Sequence, residues 1–218
     1  MPKKITAPHY ILVLILGVMI GLPSLSLASA ETGGANIVKG KIGIEIIKND
    51  KSTAARKRSR ITTLDKLKVY TLPEFKSYTY VISSDKKAAM MLSPFSKGHV
   101  EAKEGLKKFP GFNQFYQFDE NSDVELITVI CSPKPLKEIH ELFSSKNVSY
   151  ESWAALERKL IKKSKILASK DVEKETQIGG FIQRGVRAGM SFADKIPVRR
   201  GNSFLIKNYE FRVYNAKK

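Results

Sequence analysis

The chain has few of the residues on which metal sites, disulfides and thiol catalysis depend. It contains one cysteine and three histidines in 218 residues, so no internal disulfide can form. His9, His99 and His140 occur in no HExxH motif and in no comparable ligand spacing, which gives no support for a metal centre. We therefore predict no cofactor and no metal, and we expect the hydrophobic core alone to hold the fold together.

Motifs of the common enzyme classes are also missing. The glycines within residues 179–189 match neither a P-loop nor a dinucleotide-binding fingerprint. Ser132 is not part of a G-x-S-x-G elbow, and Cys131 lies in an apolar run, where a thiol acts as a small hydrophobic group. Asp119 and Glu125 are acids near predicted strands and could act as a hydrolase pair. Nothing in their spacing shows that they face each other, so we predict no catalytic residue.

No apolar run is long enough to cross a membrane. The most hydrophobic stretch, residues 10–22, has 13 residues, against the about 20 that a spanning helix needs. Lys3 and Lys4 precede it and Ala28-Ser29-Ala30 follows it, an arrangement typical of a secretory signal peptide. The one cysteine, Cys131, lies far beyond the run, so no cysteine stands at its end to accept a lipid. We predict a cleaved signal peptide over residues 1–30 and an exported protein, periplasmic or extracellular but not a lipoprotein; a membrane anchor is the alternative.

Positive charge is what the chain has in excess. It carries 38 lysines and arginines against 21 aspartates and glutamates, a formal net charge of +17. Such a charge favours anionic partners, and export argues against intracellular nucleic acid. An anionic lipid or polysaccharide surface is the predicted partner, and a solvated surface without a ligand is the alternative. The candidate anion-binding residues are Arg56, Lys57, Arg58, Arg60, Lys162, Lys163, Arg199 and Arg200.

Apolar residues that alternate with a period of two predict strands over residues 38–47, 67–71, 77–83 and 88–92. Residues 114–132 contain two β-favouring arms around a polar turn and predict a hairpin. Its second arm, residues 124–131, is almost unbroken in apolar residues and should be buried on both faces. Residues 48–60 are polar and basic and are predicted to be a loop.

The pattern changes after Pro133 and Pro135. Apolar residues at helical spacing predict a short helix from Leu136 and a second, longer helix, with Ser149 or Ser152 as its N-cap. Residues 204–214 close the chain as a strand. Segregated strands and helices favour an antiparallel sheet system with helices to one side.

The sequence therefore predicts a β-rich α+β fold, an antiparallel β-sandwich-like domain with two short-to-medium helices in its C-terminal half. We divide the exported part into an N-terminal strand and basic loop, residues 31–63, and a β-rich domain, residues 64–218. The second part contains the helical segment 136–168.

Several phrases of the sequence follow a known order. They are Ser77-Tyr78-Thr79-Tyr80-Val81-Ile82, Phe109-Pro110, Gln114-Phe115-Tyr116-Gln117-Phe118-Asp119 and Glu125-Leu126-Ile127-Thr128-Val129-Ile130. In this order the chain resembles the bacterial domain of unknown function 4384 over about residues 64–143. The resemblance implies an all-β or sandwich-like accessory domain of exported or envelope proteins, which is sometimes attached to kinase or caspase-like modules. The family has no established catalytic residues to transfer.

These observations together predict an exported, non-catalytic β-domain that binds an envelope protein or an anionic component of the envelope. An envelope hydrolase that uses acids such as Asp119 or Glu125 is one alternative. A structural subunit that assembles through an edge strand, such as residues 204–213, is another.

Overall fold

A computed structural model describes residues 36–95, 100–111, 113–119, 123–145, 147–165 and 191–215. The described residues belong to one compact unit. The predicted signal peptide lies outside the described residues, and so does the glycine-rich stretch 179–189. Among the described residues, no helix is both long and apolar enough to cross a membrane.

The first of two sheets is built around its longest strand, β1. Its strands are β1 (Ile37–Lys48), β2 (Lys51–Ala54), β4 (Lys66–Pro73), β7 (Lys107–Phe109) and β10 (Val198–Asn202). Strands β10, β1, β4 and β7 lie in that order, and β2 also pairs with β1. All of these pairs are antiparallel. Ile42, Ile44 and Ile46 of β1 alternate toward one buried face, as the period-two pattern requires.

The second sheet has six strands in the order β3-β11-β8-β5-β6-β9. These are β3 (Arg58–Thr62), β5 (Tyr78–Ser84), β6 (Ala88–Met91), β8 (Val124–Ser132), β9 (Val148–Ser149) and β11 (Leu205–Tyr214). Strand β3 runs parallel to β11, whereas the other pairs are antiparallel. The closing strand of the chain therefore lies inside this sheet, between β3 and β8.

The two sheets pack face to face around the main core. One continuous cluster joins the isoleucines of β1 to Val81 of β5, Val129 of β8 and Phe211 of β11. Strand β8 is also covered on its other face, where Ile130 belongs to a second cluster. This double coverage explains the unbroken apolar run of β8. The predicted β-sandwich-like α+β fold is confirmed.

Two helices cover the outer face of the second sheet. They are α1 (Lys137–Phe143) and α2 (Tyr150–Ser164). The Ser149 side chain accepts a hydrogen bond from the Ser152 backbone N–H, so Ser149 is the N-cap. Trp153 is fully buried against Phe143, with ring centroids 5.7 Å apart. This aromatic contact joins the two helices, and both rings belong to the same buried cluster as Tyr80 and Ile130 of the second sheet.

A short 3₁₀ helix, Phe192–Lys195, lies against the outer face of the first sheet. Phe192 packs on Tyr70 with ring centroids 5.0 Å apart, and Ile196 packs directly on Gly43. A Cβ atom at Gly43 would lie 2.7 Å from the Ile196 side chain, so this contact requires glycine. The 3₁₀ helix thereby sets the position of the segment that leads into β10.

Two local predictions differ from the structure. Residues 114–132 do not form a hairpin, because Tyr116 pairs with Leu67 beside the first sheet while β8 lies in the second. The polar stretch between them marks a crossing between sheets, and its residues 120–122 lie outside the described residues. Residues 48–60, predicted as a loop, contain β2 and most of β3. Edge strands need only one covered face, so their sequences show a weak apolar pattern.

Candidate functional site

The first sheet has an opening in one of its edges. On the side of β1 away from β4, β10 pairs with residues 37–41 and β2 pairs with residues 45–48. Among the described residues, no strand pairs with residues 42–44 on that side. The Ile44 carbonyl accepts a hydrogen bond from the Ala55 N–H at 2.8 Å, and the Ile42 carbonyl is reached by side chains of the second sheet. This opening gives access to the space between the sheets.

Strand register directs two cations into the opening. Arg199 of β10 lies directly opposite Gly40 of β1, which shares the inner face with Ile42 and Ile44. Lys207 of β11 has the same parity as Leu205, Tyr209 and Phe211, which are all core residues. Arg199 and Lys207 therefore approach each other from opposite sheets, although each lies on a strand whose inner face is otherwise apolar or glycine.

A third cation comes from the crossover between the sheets. Residues 55–57 connect β2 of the first sheet to β3 of the second. Ala55 is buried in the core, and the Lys57 carbonyl accepts a hydrogen bond from the Glu210 N–H at 2.9 Å. These two contacts hold the crossover at both ends and place Lys57 at the rim of the opening.

Two adjoining hollows share Lys57, Arg199 and Lys207, and we call them together the basic groove. The first has a volume of about 270 Å³ and is lined also by Arg56 and Lys195. The second, of about 380 Å³, extends along the end of α2 to Lys165. Among the described residues that line either hollow, none is an aspartate or a glutamate. The groove therefore concentrates positive charge without an internal counter-ion.

Lys207 is the most perturbed cation of the groove. Its Nζ donates a hydrogen bond to the Ile42 carbonyl at 3.2 Å and lies 4.5 Å from the centre of the Tyr209 ring. Burial, and then the nearby charge of Arg199, lower the pKa of Lys207 from 10.5 to about 8. Both causes disfavour the charged form, so an anion that entered the groove would relieve the repulsion.

The other hollows carry mixed charge. The largest, about 530 Å³, lies beside β7 and includes Glu101, which pairs with Lys103 at 3.1 Å. Its half-buried Lys107 donates to the Ser77 carbonyl and to the hydroxyls of Ser77 and Thr79, at 2.6 to 3.0 Å. Lys107 is therefore fully occupied by neutral partners. The basic groove is the only one of these hollows, among the described residues, whose lining has charges of a single sign.

The structure brings together only part of the predicted anion-binding set. Arg56, Lys57 and Arg199 line the basic groove. The remaining predicted cations are absent from the residues that line it: Arg58, Arg60, Lys162, Lys163 and Arg200.

These remaining cations have other surroundings. Arg58 pairs with Glu210 at 3.2 Å, and Lys163 pairs with Glu138 at 3.0 Å. Arg60 lines a separate hollow that includes Asp65. Arg200 lies opposite Lys39 and has the parity of the outer face of the first sheet.

Lys207, Lys195 and Lys165 complete the groove but were not predicted from the sequence. Of these three lysines, only Lys207 could have been identified from the sequence pattern. It occupies an inward position in a strand whose other inward positions, at residues 205, 209, 211 and 213, are all buried and apolar or aromatic. A lysine in such a series is unusual, because burying a charge without a counter-ion is unfavourable. Lys195 and Lys165 lie outside any apolar pattern, so nothing local distinguishes them.

The residues considered for catalysis are either buried or hydrogen-bonded to neighbouring side chains. Cys131 is fully buried and burial raises its pKa to about 11, so the thiolate form is disfavoured. Glu125 accepts a hydrogen bond from Ser83 at 3.3 Å inside the central strand β8. His140 is bonded to the Tyr80 hydroxyl at 2.9 Å and packs beside its ring. Within the described part of the chain, no group of three or more His, Cys, Asp or Glu side chains could hold a metal ion.

Comparison with protein-family models, with curated proteins and with solved structures finds no match for the chain. The resemblance to the domain of unknown function 4384 therefore stays a prediction.

Proposed function

We propose that the protein is an exported, non-catalytic β-domain that binds an anionic component of the cell envelope in the basic groove. The observation that carries the proposal is the convergence of Lys57, Arg199 and Lys207 from three separate chain segments on one opening. Each of the three is held by backbone pairing of its own segment. The cations are thus arranged before a ligand arrives, which lowers the entropic cost of binding.

Local charge balance supports an anion as the ligand. Salt bridges neutralise several exposed cations, including Arg58 and Lys163. Neither Lys57 nor Arg199 lies within salt-bridge distance of a carboxylate in the described ranges. An unpaired cluster of this kind repels itself, and a bound carboxylate or phosphate would remove that repulsion.

The expected binding contribution follows from the same geometry. Two unit charges 4 Å apart interact with about 1 kcal/mol in bulk water and about 4 kcal/mol near a protein surface. Removal of two groove cations should therefore weaken binding by at least about 2 kcal/mol, or roughly 30-fold. The loss should shrink at high salt, because the groove opens to solvent.

A pair of double variants with equal change of charge tests the proposal. One is Lys57→Gln with Arg199→Gln, within the groove. The control is Arg58→Gln with Lys163→Gln, which removes the same charge from residues paired outside the groove. Binding is measured to lipopolysaccharide, and separately to vesicles of phosphatidylglycerol against vesicles of phosphatidylcholine. We expect the groove variant to lose roughly 30-fold on one anionic probe, and the control less than threefold.

The lipopolysaccharide and vesicle measurements also identify the source of the anion. Loss on lipopolysaccharide alone points to a polysaccharide, and loss on phosphatidylglycerol vesicles alone points to a membrane surface. Equal losses in the two variants would mean that binding follows net charge and not the groove. Absence of binding to every anionic probe at low salt would refute the proposal and would favour a protein partner.

A further inference from the structure

The surroundings of Lys207 go beyond what is needed to attract an anion. An exposed arginine or lysine would serve that purpose, but Lys207 lies at an inward position of β11, among core residues. Its Nζ reaches across to the other sheet and donates one hydrogen bond, to the Ile42 carbonyl at 3.2 Å. Lys207 also lines both hollows of the basic groove, so its amine meets any ligand that enters from either side.

The charged groups around Lys207 come from every element that borders the groove. Arg199 belongs to β10, Lys57 to the crossover and Lys165 to the end of α2, while Arg56 and Lys195 lie in the first hollow. All five are cations. Burial, and then the charge of Arg199, lower the pKa of Lys207 to about 8, so a larger fraction of Lys207 than of an ordinary lysine is the free amine near neutral pH.

We propose that Lys207 forms a reversible imine with a small carbonyl compound that carries a carboxylate or phosphate group, held by Arg199 and Lys57. This inference rests on the proposed function, because the same groove holds the anionic group. The neutral amine attacks the carbonyl carbon to give a carbinolamine. The carbinolamine then loses water, whose two hydrogens are in total the two amine hydrogens, and a C=N bond is left. No oxidant or reductant is required, and hydrolysis reverses the step.

The ligand class follows from the two requirements together. The cations select a negative group, and the amine selects an aldehyde or ketone within reach of it. The open-chain reducing ends of acidic sugars belong to this class, which links the inference to an anionic polysaccharide of the envelope. Neutral aldehydes lack the group that the cations hold, and anions without a carbonyl group lack the carbon that reacts.

Lys107 provides a comparison within the same protein. Its pKa is also lowered by burial, and it also lines a hollow. Its Nζ, however, donates to three oxygen atoms of Ser77 and Thr79, which occupy all three protons of the ammonium group. Lys107 has no free position from which to attack a carbonyl carbon, so it should remain unmodified where Lys207 reacts.

The test uses pyridoxal 5′-phosphate, an aldehyde with a phosphate group, as the probe. The purified protein is incubated with it, the imine is reduced with borohydride, and the modified lysine is located by peptide mass spectrometry. At pH 7.5 a lysine with a pKa of about 8 has a roughly 200-fold larger free-amine fraction than one at 10.5. We expect labelling of Lys207 to exceed that of Lys107 and of exposed lysines by at least tenfold.

Three controls assign the result. Pyridoxal, which lacks the phosphate, should label Lys207 at least fivefold more slowly, and so should pyridoxal 5′-phosphate with the Arg199→Gln variant. The Lys207→Arg variant keeps a cation and a donor for the Ile42 carbonyl, so it should fold, but it has no amine that can form an imine and should show no label at that position. Circular dichroism of each variant establishes that the fold is intact.

Pyridoxine 5′-phosphate separates the two proposals, because it has the phosphate but no aldehyde. If it binds in equilibrium dialysis and Lys207 is not labelled above the other lysines, the imine inference is overturned and anion binding stands. If pyridoxine 5′-phosphate does not bind and no selective label forms, the groove does not hold small phosphate compounds. The imine inference is then overturned, and the proposed anion binding is contradicted for such compounds. Selective labelling that survives Arg199→Gln unchanged would also overturn the inference, since the anionic group would then have no role.

Discussion

Replacement of Lys207 by methionine should stabilise the fold at neutral pH, although it removes a hydrogen bond. The lysine holds a charge at an inward position of β11, next to Arg199. Methionine is similar in length, unbranched and apolar, so it can follow the same path between the sheets. The hydrogen bond to Ile42 is lost, but the Tyr209 hydroxyl still donates to that carbonyl at 3.3 Å.

The sign of the pH dependence follows from the two pKa values. In the folded protein the pKa of Lys207 is about 8, below the 10.5 of the unfolded chain. Between these values the unfolded state binds more protons, so the stability of the natural protein rises with pH. The penalty of Lys207 is fully present below pH 8 and disappears above about pH 10.5. The methionine variant lacks this rise.

The pKa shift sets an upper limit on the change in unfolding free energy, and solvent screening reduces it. A shift from 10.5 to about 8 corresponds to about 3 kcal/mol at 1.36 kcal/mol per unit. Lys207 keeps contact with solvent through the groove, so we expect a pH-dependent part of about 1–2 kcal/mol. The lost hydrogen bond offsets about 1 kcal/mol at every pH. The variant should therefore be up to about 1 kcal/mol more stable at pH 6.5 and about 1 kcal/mol less stable at pH 10.5.

Urea unfolding of the natural protein and of the Lys207→Met variant at pH 6.5 and pH 10.5 measures this difference in stability. Urea is suitable because it is uncharged and does not screen the charges of the protein. Lys163→Met is the matched control, because Lys163 is exposed and paired with Glu138; its effect should change by less than about 0.5 kcal/mol between the two pH values. If Lys207→Met destabilises the protein equally at both pH values, Lys207 carries no charge penalty and the reasoning is refuted.

Three further predictions concern the cap, the core and the groove. Ser149→Ala should cost about 1 kcal/mol in urea unfolding, because the Ser152 N–H loses its acceptor at the start of α2; an unchanged midpoint would contradict this role. Cys131 should resist iodoacetamide at pH 8 in the native protein and react once urea unfolds it, since it is fully buried with a pKa near 11; native labelling at the unfolded rate would show an open core. Gly201→Ala would place a Cβ 2.2 Å from the Phe204 carbonyl oxygen, so the turn from β10 to β11 must move. We expect a loss of about 1–3 kcal/mol and weaker binding to the anionic probe that the natural protein retains, whereas unchanged binding would show that the spacing of these strands does not matter to the groove.

Much of the fold could be read from local patterns. Alternation in β11 reflects one face against a core, and the unbroken run of β8 reflects two covered faces. Strand β5 is also covered on both faces, since Val81 belongs to the main core and Tyr80 and Ile82 to the second cluster. The cap at Ser149 and the apolar stripe through Trp153 mark α2 equally well. Each of these signals depends on neighbours within a few residues, which is why they survive in the sequence.

The errors have a common cause. The first arm of the expected hairpin is rich in aromatic residues, yet Tyr116 pairs with Leu67 of β4 and not with β8. Strand β3 is basic and was expected to be a loop, yet it pairs with β11 at the far end of the chain. Pairing partners are chosen by contacts between distant residues, and composition along one strand does not record them.

The sequence by itself determined that the protein is basic, that its core has no disulfide, and on which face of a strand most residues lie. Only the tertiary structure decided which cations work together. Lys57, Arg199 and Lys207 lie in segments that meet because β10 joins the first sheet while β3 and β11 pair in the second. Arg58 directly follows Lys57, and Arg200 directly follows Arg199. Both arginines lie at outward positions of their strands, away from the groove. A period of two selects the face, but the packing of two sheets decides which faces meet.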